Sequence, residues 1–233
     1  MPHKILAIGA HPDDIEFGGA AALLIKEVQK GSQAKAVVCS LGEAGTNGTP
    51  QGRKKESINA AKIIGAEIEF LETGGDCHIE YKPQNSIKIA KVIRQYKPNI
   101  VLAQSLSHNQ HPDHKNLTLV VRDACRLARY GGLKELKKLP VHKISALYFY
   151  GSSAEWDKKP DIVIDVTDIH SKWEKTMLAH TSQMKTRGYL NLVNSKAVAL
   201  GASIGVKYAI GLWTNDPVRL DNLSDLSLSS RNY

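Results

Sequence analysis

Three cysteines in 233 residues are too few and too scattered for the roles that cysteine patterns announce. Cys39, Cys77 and Cys125 form no C-x-x-C pair, so neither a disulfide framework nor a thiolate metal site is expected. No apolar run approaches the ~20 residues a membrane helix needs, and no signal-peptide pattern precedes the first apolar segment. These absences predict a cytoplasmic protein with no membrane partner. No Pro/Gly/Ser-rich linker, internal repeat or low-complexity block divides the chain. Residues 1–233 are therefore expected to form one domain, with the polar, Ser-rich stretch 221–233 as a loose tail. Also missing is the G-x-G-x-x-G turn of a dinucleotide-binding fold. Its place after the first apolar run holds Gly9-Ala10-His11-Pro12-Asp13-Asp14, which disfavours a nicotinamide enzyme.

What is present begins with charge. Lys and Arg total 31 against 23 Asp and Glu, a net charge of +8. The cations are spread over expected helices (Lys26, Lys30, Lys54, Lys55, Lys88, Lys91). With no nucleic-acid-binding motif among them, they read as solvated helix faces, and no nucleic-acid partner is expected. A basic surface still favours anionic substrates such as sugar nucleotides or carboxylated glycosides.

Apolar runs alternate with amphipathic stretches. Strands are expected at 5–9, 35–40, 68–71, 100–103, 144–150 and 162–166, and helices at 15–30, 53–65, 85–96, 116–130 and 169 to about 183. A further helix is expected near 196–205. This repetition is the signature of βαβ units, hence an α/β, Rossmann-like, mostly parallel sheet with helices on both faces.

Two polar clusters sit just past buried-type strands. Ala10-His11-Pro12-Asp13-Asp14 follows Ile5–Gly9, and His108-Asn109-Gln110-His111-Pro112-Asp113-His114 follows Ile100–Ala103. Each lies at the carboxyl end of its strand, where open α/β sheets place ligands. If the first and fourth strands are neighbours, His11, Asp14 and His114 meet, and two imidazoles with one carboxylate suit zinc with an open position. Asp13, between two ligands, then projects beside the metal as a general base for the attacking water. His111 is placed near the scissile carbonyl as an imidazolium, stabilising the oxyanion or protonating the leaving amine, a proton that Asp13 could equally deliver, and Asp113 orients one imidazole by accepting its second ring proton. A single His-Pro-Asp is ordinarily a turn whose Asp caps a helix, but two of them after buried strands argue for a site. His108 is the rival ligand on the same loop, or a substrate contact.

These tripeptides, the loop Gly42-Glu43-Ala44-Gly45-Thr46-Asn47-Gly48 and Arg53 together resemble the LmbE/PIG-L family of zinc-dependent N-deacetylases, over most of the chain. The likeness looks greatest to the small bacterial members of the bacillithiol-pathway type. The resemblance implies a Rossmann-like fold and removal of acetyl groups from N-acetylglucosamine-type sugars. It implies zinc on His11, Asp14 and His114, Asp13 as base, His111 as the charge-stabilising partner, and Arg53 with the Glu43 and Thr46 loop lining the substrate pocket. His180-Thr181-Ser182-Gln183 is similar to the family's H-x-S-Q segment and brings Gln183 near the site. Family members often assemble, so a homo-oligomer is left open.

Departures touch the substrate rather than the hydrolysis. Asn47 stands where an Arg is common, and Tyr208-Ala209-Ile210 where Tyr-Ala-Glu is common. Without that Arg, an aglycone carboxylate loses a bidentate partner, so another N-acetylated sugar or sugar nucleotide becomes plausible. Two readings stay open beside the deacetylase: a zinc amidase acting on another small amide such as a thiol-sugar conjugate, and a non-catalytic metal-dependent sugar-binding protein.

Overall fold

The computed structural model describes residues 2–106, 111–152, 159–185 and 188–222; His108 and most of the expected tail lie outside them. One seven-stranded sheet runs in the order β3-β2-β1-β4-β5-β7-β6. Its strands are β1 (Lys4–Gly9), β2 (Gln33–Val38), β3 (Glu67–Phe70), β4 (Ile100–Gln104), β5 (Ala146–Tyr150), β6 (Ile162–Asp165) and β7 (Ala209–Thr214). The first five pair in parallel, and β7 runs antiparallel to both β5 and β6. The sheet is thus mostly parallel, as expected.

Alternate side chains of β1 enter opposite cores, as the two-residue period of a strand requires. Ile5 and Ala7 join an apolar layer with Leu24, Trp173 and Val193, contributed by α2 (Ala20–Gln29), α6 (His170–Leu178) and α7 (Tyr189–Ser203). Leu6 and Ile8 join Ile89, Ile93, Leu117 and Val121 on the other face, contributed by α4 (Pro83–Tyr96) and α5 (Pro112–Leu127). Burial of β1 on both faces explains its unbroken apolar run.

Several boundaries depart from expectation. The single helix expected over 15–30 is two, α1 (Asp14–Phe17) and α2, broken at Gly18-Gly19. Gly19 has φ +90°, and a Cβ on Gly18 would stand 2.5 Å from the Gly151 carbonyl oxygen, so the break lets this turn settle on the end of β5. Helix α3 (Pro50–Ile64) starts earlier than expected, because the Thr49 hydroxyl accepts from the Gly52 N–H at 3.1 Å and Pro50 fills the first turn. Likewise α5 starts at Pro112, capped by His111. Helix α6 stops at Leu178 rather than near 183, α7 begins at Tyr189 rather than near 196, and β7 was not anticipated. No helix among the described residues is long and apolar enough to cross a membrane.

Strands β1 and β4 are adjacent, with Ile5 opposite Ile100 and Ala7 opposite Leu102, while β1 continues outward to β2. The strand order reverses between β1 and β4, which opens a crevice at their carboxyl ends.

Candidate metal centre

The turn leaving β1 is fixed by its own backbone. The N–H groups of Asp13 and Asp14 both donate to the His11 carbonyl, at 2.9 and 3.3 Å, and the His11 N–H donates to Asp14 Oδ2 at 2.7 Å. This folds the His11 and Asp14 side chains toward one point. There His11 Nδ1 lies 3.2 Å from His114 Nε2 and 3.3 Å from Asp14 Oδ2, and His114 Nε2 lies 3.0 Å from Asp14 Oδ1. Ligands bound at ~2.1 Å around one tetrahedral ion stand ~3.4 Å apart, so the spacing fits a shared cation. His111 adds a third imidazole, since ligand atoms of His11, His111 and His114 lie within 4.8 Å of one another. A His/Asp group able to hold a metal ion is therefore present.

The opposite edge of His11 faces carboxylates. Its Nε2 lies 3.1 Å from Asp76 Oδ1 and 3.3 Å from Asp113 Oδ2. Asp113 is itself fixed, accepting from the Cys77 N–H at 2.7 Å and the Ile79 N–H at 3.3 Å. The imidazole that Asp113 faces is thus that of His11. Asp76 was not foreseen. It lies past β3 in Gly74-Gly75-Asp76, and the rule that drew attention to the ends of β1 and β4 applies equally to this strand end.

Burial opposes a charge on His11, but Asp14, Asp113 and Asp76 together outweigh it and raise its pKa to about 12. Asp14 is likewise disfavoured as an anion by burial, yet His114 and His11 hold it well below the usual carboxylate range. So much negative charge around neutral-capable imidazoles is the environment a divalent cation stabilises.

Asp13 stands apart from the donors. Its Oδ1 lies 3.3 Å from Arg53 Nη2. Burial and the neighbouring Asp14 raise its pKa, against the opposing pull of Arg53, His180 and His11. A carboxylate tuned upward beside a cation site is suited to proton transfer. Arg53 is buried, and its Nη1 donates to the Gly42 carbonyl at 3.1 Å. Gly42 has φ +68°, and a Cβ there would lie 1.8 Å from Arg53 Nη1, so glycine is required for the guanidinium to reach past this loop.

His111 is half-buried beside the other two imidazoles. Burial and the two neighbouring imidazoles lower its pKa, which favours the neutral ring over an imidazolium. The Asp113 N–H donates to His111 Nδ1 at 3.3 Å, which assigns the ring proton to Nε2.

The cavity over these groups has a volume of about 200 Å³, and its lining includes His11, Asp13, Asp14, Arg53, Asp76 and His111 together with Gln183 and Tyr189. Gln183 also donates to the Asn47 carbonyl at 3.2 Å, tying its segment to the glycine-rich loop. Glu43 and Thr46 are not among the lining residues. The Glu43 carboxylate turns to the backbone, accepting from the N–H of Leu41 and of Asp76, each at 3.0 Å. It is a brace for the Asp76 loop, not a wall of the pocket. Thr46 is exposed on the loop.

Comparison with known proteins adds four findings. The PIG-L family, described as GlcNAc-PI de-N-acetylase, matches residues 6–125, which include both polar clusters. A 4-oxalmesaconate hydratase of Pseudomonas putida is 26% identical over 247 residues, covering 94% of this chain and 92% of that protein. An uncharacterized deacetylase of Escherichia coli is 35% identical over 130 residues, 52% of this chain and 68% of that protein. In fold, the N,N'-diacetylchitobiose deacetylase of Pyrococcus horikoshii, solved with an inhibitor, superposes with a TM-score of 0.80 at 23% identity, over 90% of this chain and 82% of that one.

Proposed function

This chain belongs to the PIG-L family, and from that premise we propose that it is a zinc-dependent hydrolase of N-acetylglucosamine-type sugars, glycosides or sugar nucleotides, releasing acetate and an amino sugar. The observation that carries the reading is Asp13: a carboxylate of raised pKa, held by Arg53 outside the His11, Asp14 and His114 donor set and facing the same cavity.

His11 through Nδ1, Asp14 and His114 through Nε2 would hold the metal, which when bound supplies Lewis-acid polarisation of the amide carbonyl and acidifies a water. Asp113 and Asp76 keep His11 in place by accepting at its Nε2–H. Asp13 takes a proton from water as the water oxygen bonds to the acetyl carbon. The neutral His111 donates its Nε2–H to the oxygen on which negative charge develops. Asp13 then returns its proton to the departing nitrogen, so the C–N bond breaks to give a neutral amine and acetic acid, which loses its remaining proton to solvent as acetate leaves. Arg53 keeps Asp13 aimed through both transfers.

A second reading comes from the hydratase relative, addition of water to an oxalmesaconate-type acid. A substrate with several carboxylates calls for several cations, and among the described residues lining the cavity Arg53 is the one Arg or Lys, already paired with Asp13. The deacetylase reading is therefore preferred. The test is free-amine release by the zinc-loaded protein from N-acetylglucosamine, its malate glycoside, N,N'-diacetylchitobiose and UDP-N-acetylglucosamine, with Asp13→Asn as control. Release that disappears in the control is expected; none from any compound, with the metal bound, overturns the proposal.

A further inference from the structure

The metal-site cavity has a neighbour. A second cavity of about 240 Å³ lies across the Gly18-Gly19 break, and Phe17, Gly18 and Ser152 line both. Helix α7 serves the two in succession. Tyr189, in its first turn, lines the metal-site cavity, and Val193, one turn on, lines the second, followed by Lys196, Ala197 and Leu200. Residues four apart share a helix face, so the two spaces are successive segments along one side of the same helix.

Their chemistry differs. The first is walled by imidazoles and carboxylates. The second is walled by Phe17, Trp173, Val193, Leu200, Ile210 and Trp213. Its charged lining residue is Lys196, whose ammonium donates to the Ser152 carbonyl at 2.8 Å. The space persists because its remaining walls are small, including Gly19, Gly151, Ala197 and Ala209. A cavity of ~150 Å³ lined by aliphatic and aromatic side chains accepts benzene, so this one accommodates a phenyl ring or a chain of several carbons.

We propose that this second cavity binds an apolar alkyl or aryl group carried by the N-acylated amino sugar whose amide sits at the metal centre. The inference rests on the deacetylase reading and narrows its substrate to an amphiphilic one. The apolar group is either an aglycone or an acyl chain longer than acetyl, and the two attachments are separated by experiment.

The test is calorimetric binding to the zinc-loaded Asp13→Asn protein, so that ligands persist. One series holds the N-acetyl group and lengthens the β-glycoside from methyl through butyl to hexyl; the other lengthens the N-acyl group of methyl glucosaminide from acetyl to hexanoyl. In one series the affinity is expected to rise about fourfold per methylene, and in the other to stay flat, which identifies the attachment. Ala199→Phe fills the cavity from an exposed lining position and should abolish the slope while leaving the methyl N-acetyl compound within about twofold of its original affinity. Leu200→Ala, which enlarges the cavity, should retain the slope. Flat series with the methyl compound bound, or a slope that survives Ala199→Phe, overturn the cavity assignment and leave the deacetylase standing. Absence of both binding and amine release in the wild type overturns the deacetylase reading, and this inference with it.

Discussion

Two buried arginines in this molecule teach opposite lessons. Arg94 on α4 and Arg53 on α3 are 1% and 4% exposed, and both reach across to neighbouring segments. Arg94 spends all five of its N–H donors on main-chain carbonyls, of Leu127, Ala128, Tyr130, Leu136 and Leu139. It lines neither of the two cavities described above and welds α4 to the chain that follows α5. Arg53 makes one bond to a carbonyl and one to the Asp13 carboxylate, and its Nε has no partner among the described residues. A complete polar network holds a fold, whereas an incomplete one that opens on a cavity leaves room for chemistry.

The largest effects should fall on the incomplete side. Asp13→Asn is expected to reduce amine release about 10²- to 10⁴-fold with metal content unchanged. Asp14→Ala and His114→Ala should instead lose the metal, as read by elemental analysis after dialysis. Equal metal loss in all three would erase the distinction between base and ligands. The arginines themselves give the next test. Arg94→Met strands several buried carbonyls and should cost on the order of 3 kcal/mol, lowering Tm by ~6–12 °C without changing the turnover of the folded protein. Arg53→Met should do the reverse, cutting turnover ~10- to 100-fold through a misplaced Asp13 with less than half that Tm change. Matching profiles for the two variants would break the comparison.

The same contrast explains what the sequence disclosed. His11, Asp14, His111 and His114 were legible because they cluster at the ends of two buried strands, a position set by local pattern and general topology. Asp76 was not, because alone in a glycine-rich loop it reads as a turn residue, and only the fold brings it to 3.1 Å from His11. Glu43 was placed on the right loop, but its two backbone partners were not legible, since a carboxylate's choice between substrate and backbone N–H is decided by where the Asp76 loop packs. The break at Gly18-Gly19 was hidden by an apolar pattern that continues across it; its cause is the Gly151 carbonyl, distant in sequence. Strand β7 escaped because its place between β5 and β6 is a tertiary choice that a six-residue segment does not announce.

Protons supply a finer probe. In the metal-free protein the carboxylates hold His11 protonated up to about 12, so a cation binding at Nδ1 must displace a proton. Metal affinity should therefore fall about tenfold for each unit by which pH is lowered, with one proton released per ion in calorimetry across buffers of different ionisation heat. The linked stability has the opposite sense. His11 is raised above its ordinary 6.5, so its contribution to the metal-free fold is full below that pH and is lost as pH climbs toward 12. Nothing comparable is expected of the Arg94 network, whose partners are carbonyls. Asp113→Asn removes one of the groups that raise His11, so the pH at which proton release fades should move downward, and an unmoved upper limit would mean that Asp113 does not govern His11.

The smallest expected effect separates bracing from binding. Glu43 spends both carboxylate oxygens on backbone N–H groups, in miniature what Arg94 does with carbonyls, yet the loop it braces carries Asp76. Glu43→Gln keeps one acceptor and puts an amide donor against the other N–H, so it should loosen the loop by about one hydrogen bond, ~1 kcal/mol. Because Asp76 lies 3.1 Å from His11, the change should reach activity as a two- to fivefold loss of metal affinity, recovered at saturating zinc, with KM unmoved. A rise in KM that persists at saturating zinc would instead place Glu43 against the sugar. A brace completes the network it belongs to, and its removal is felt at the group it supports.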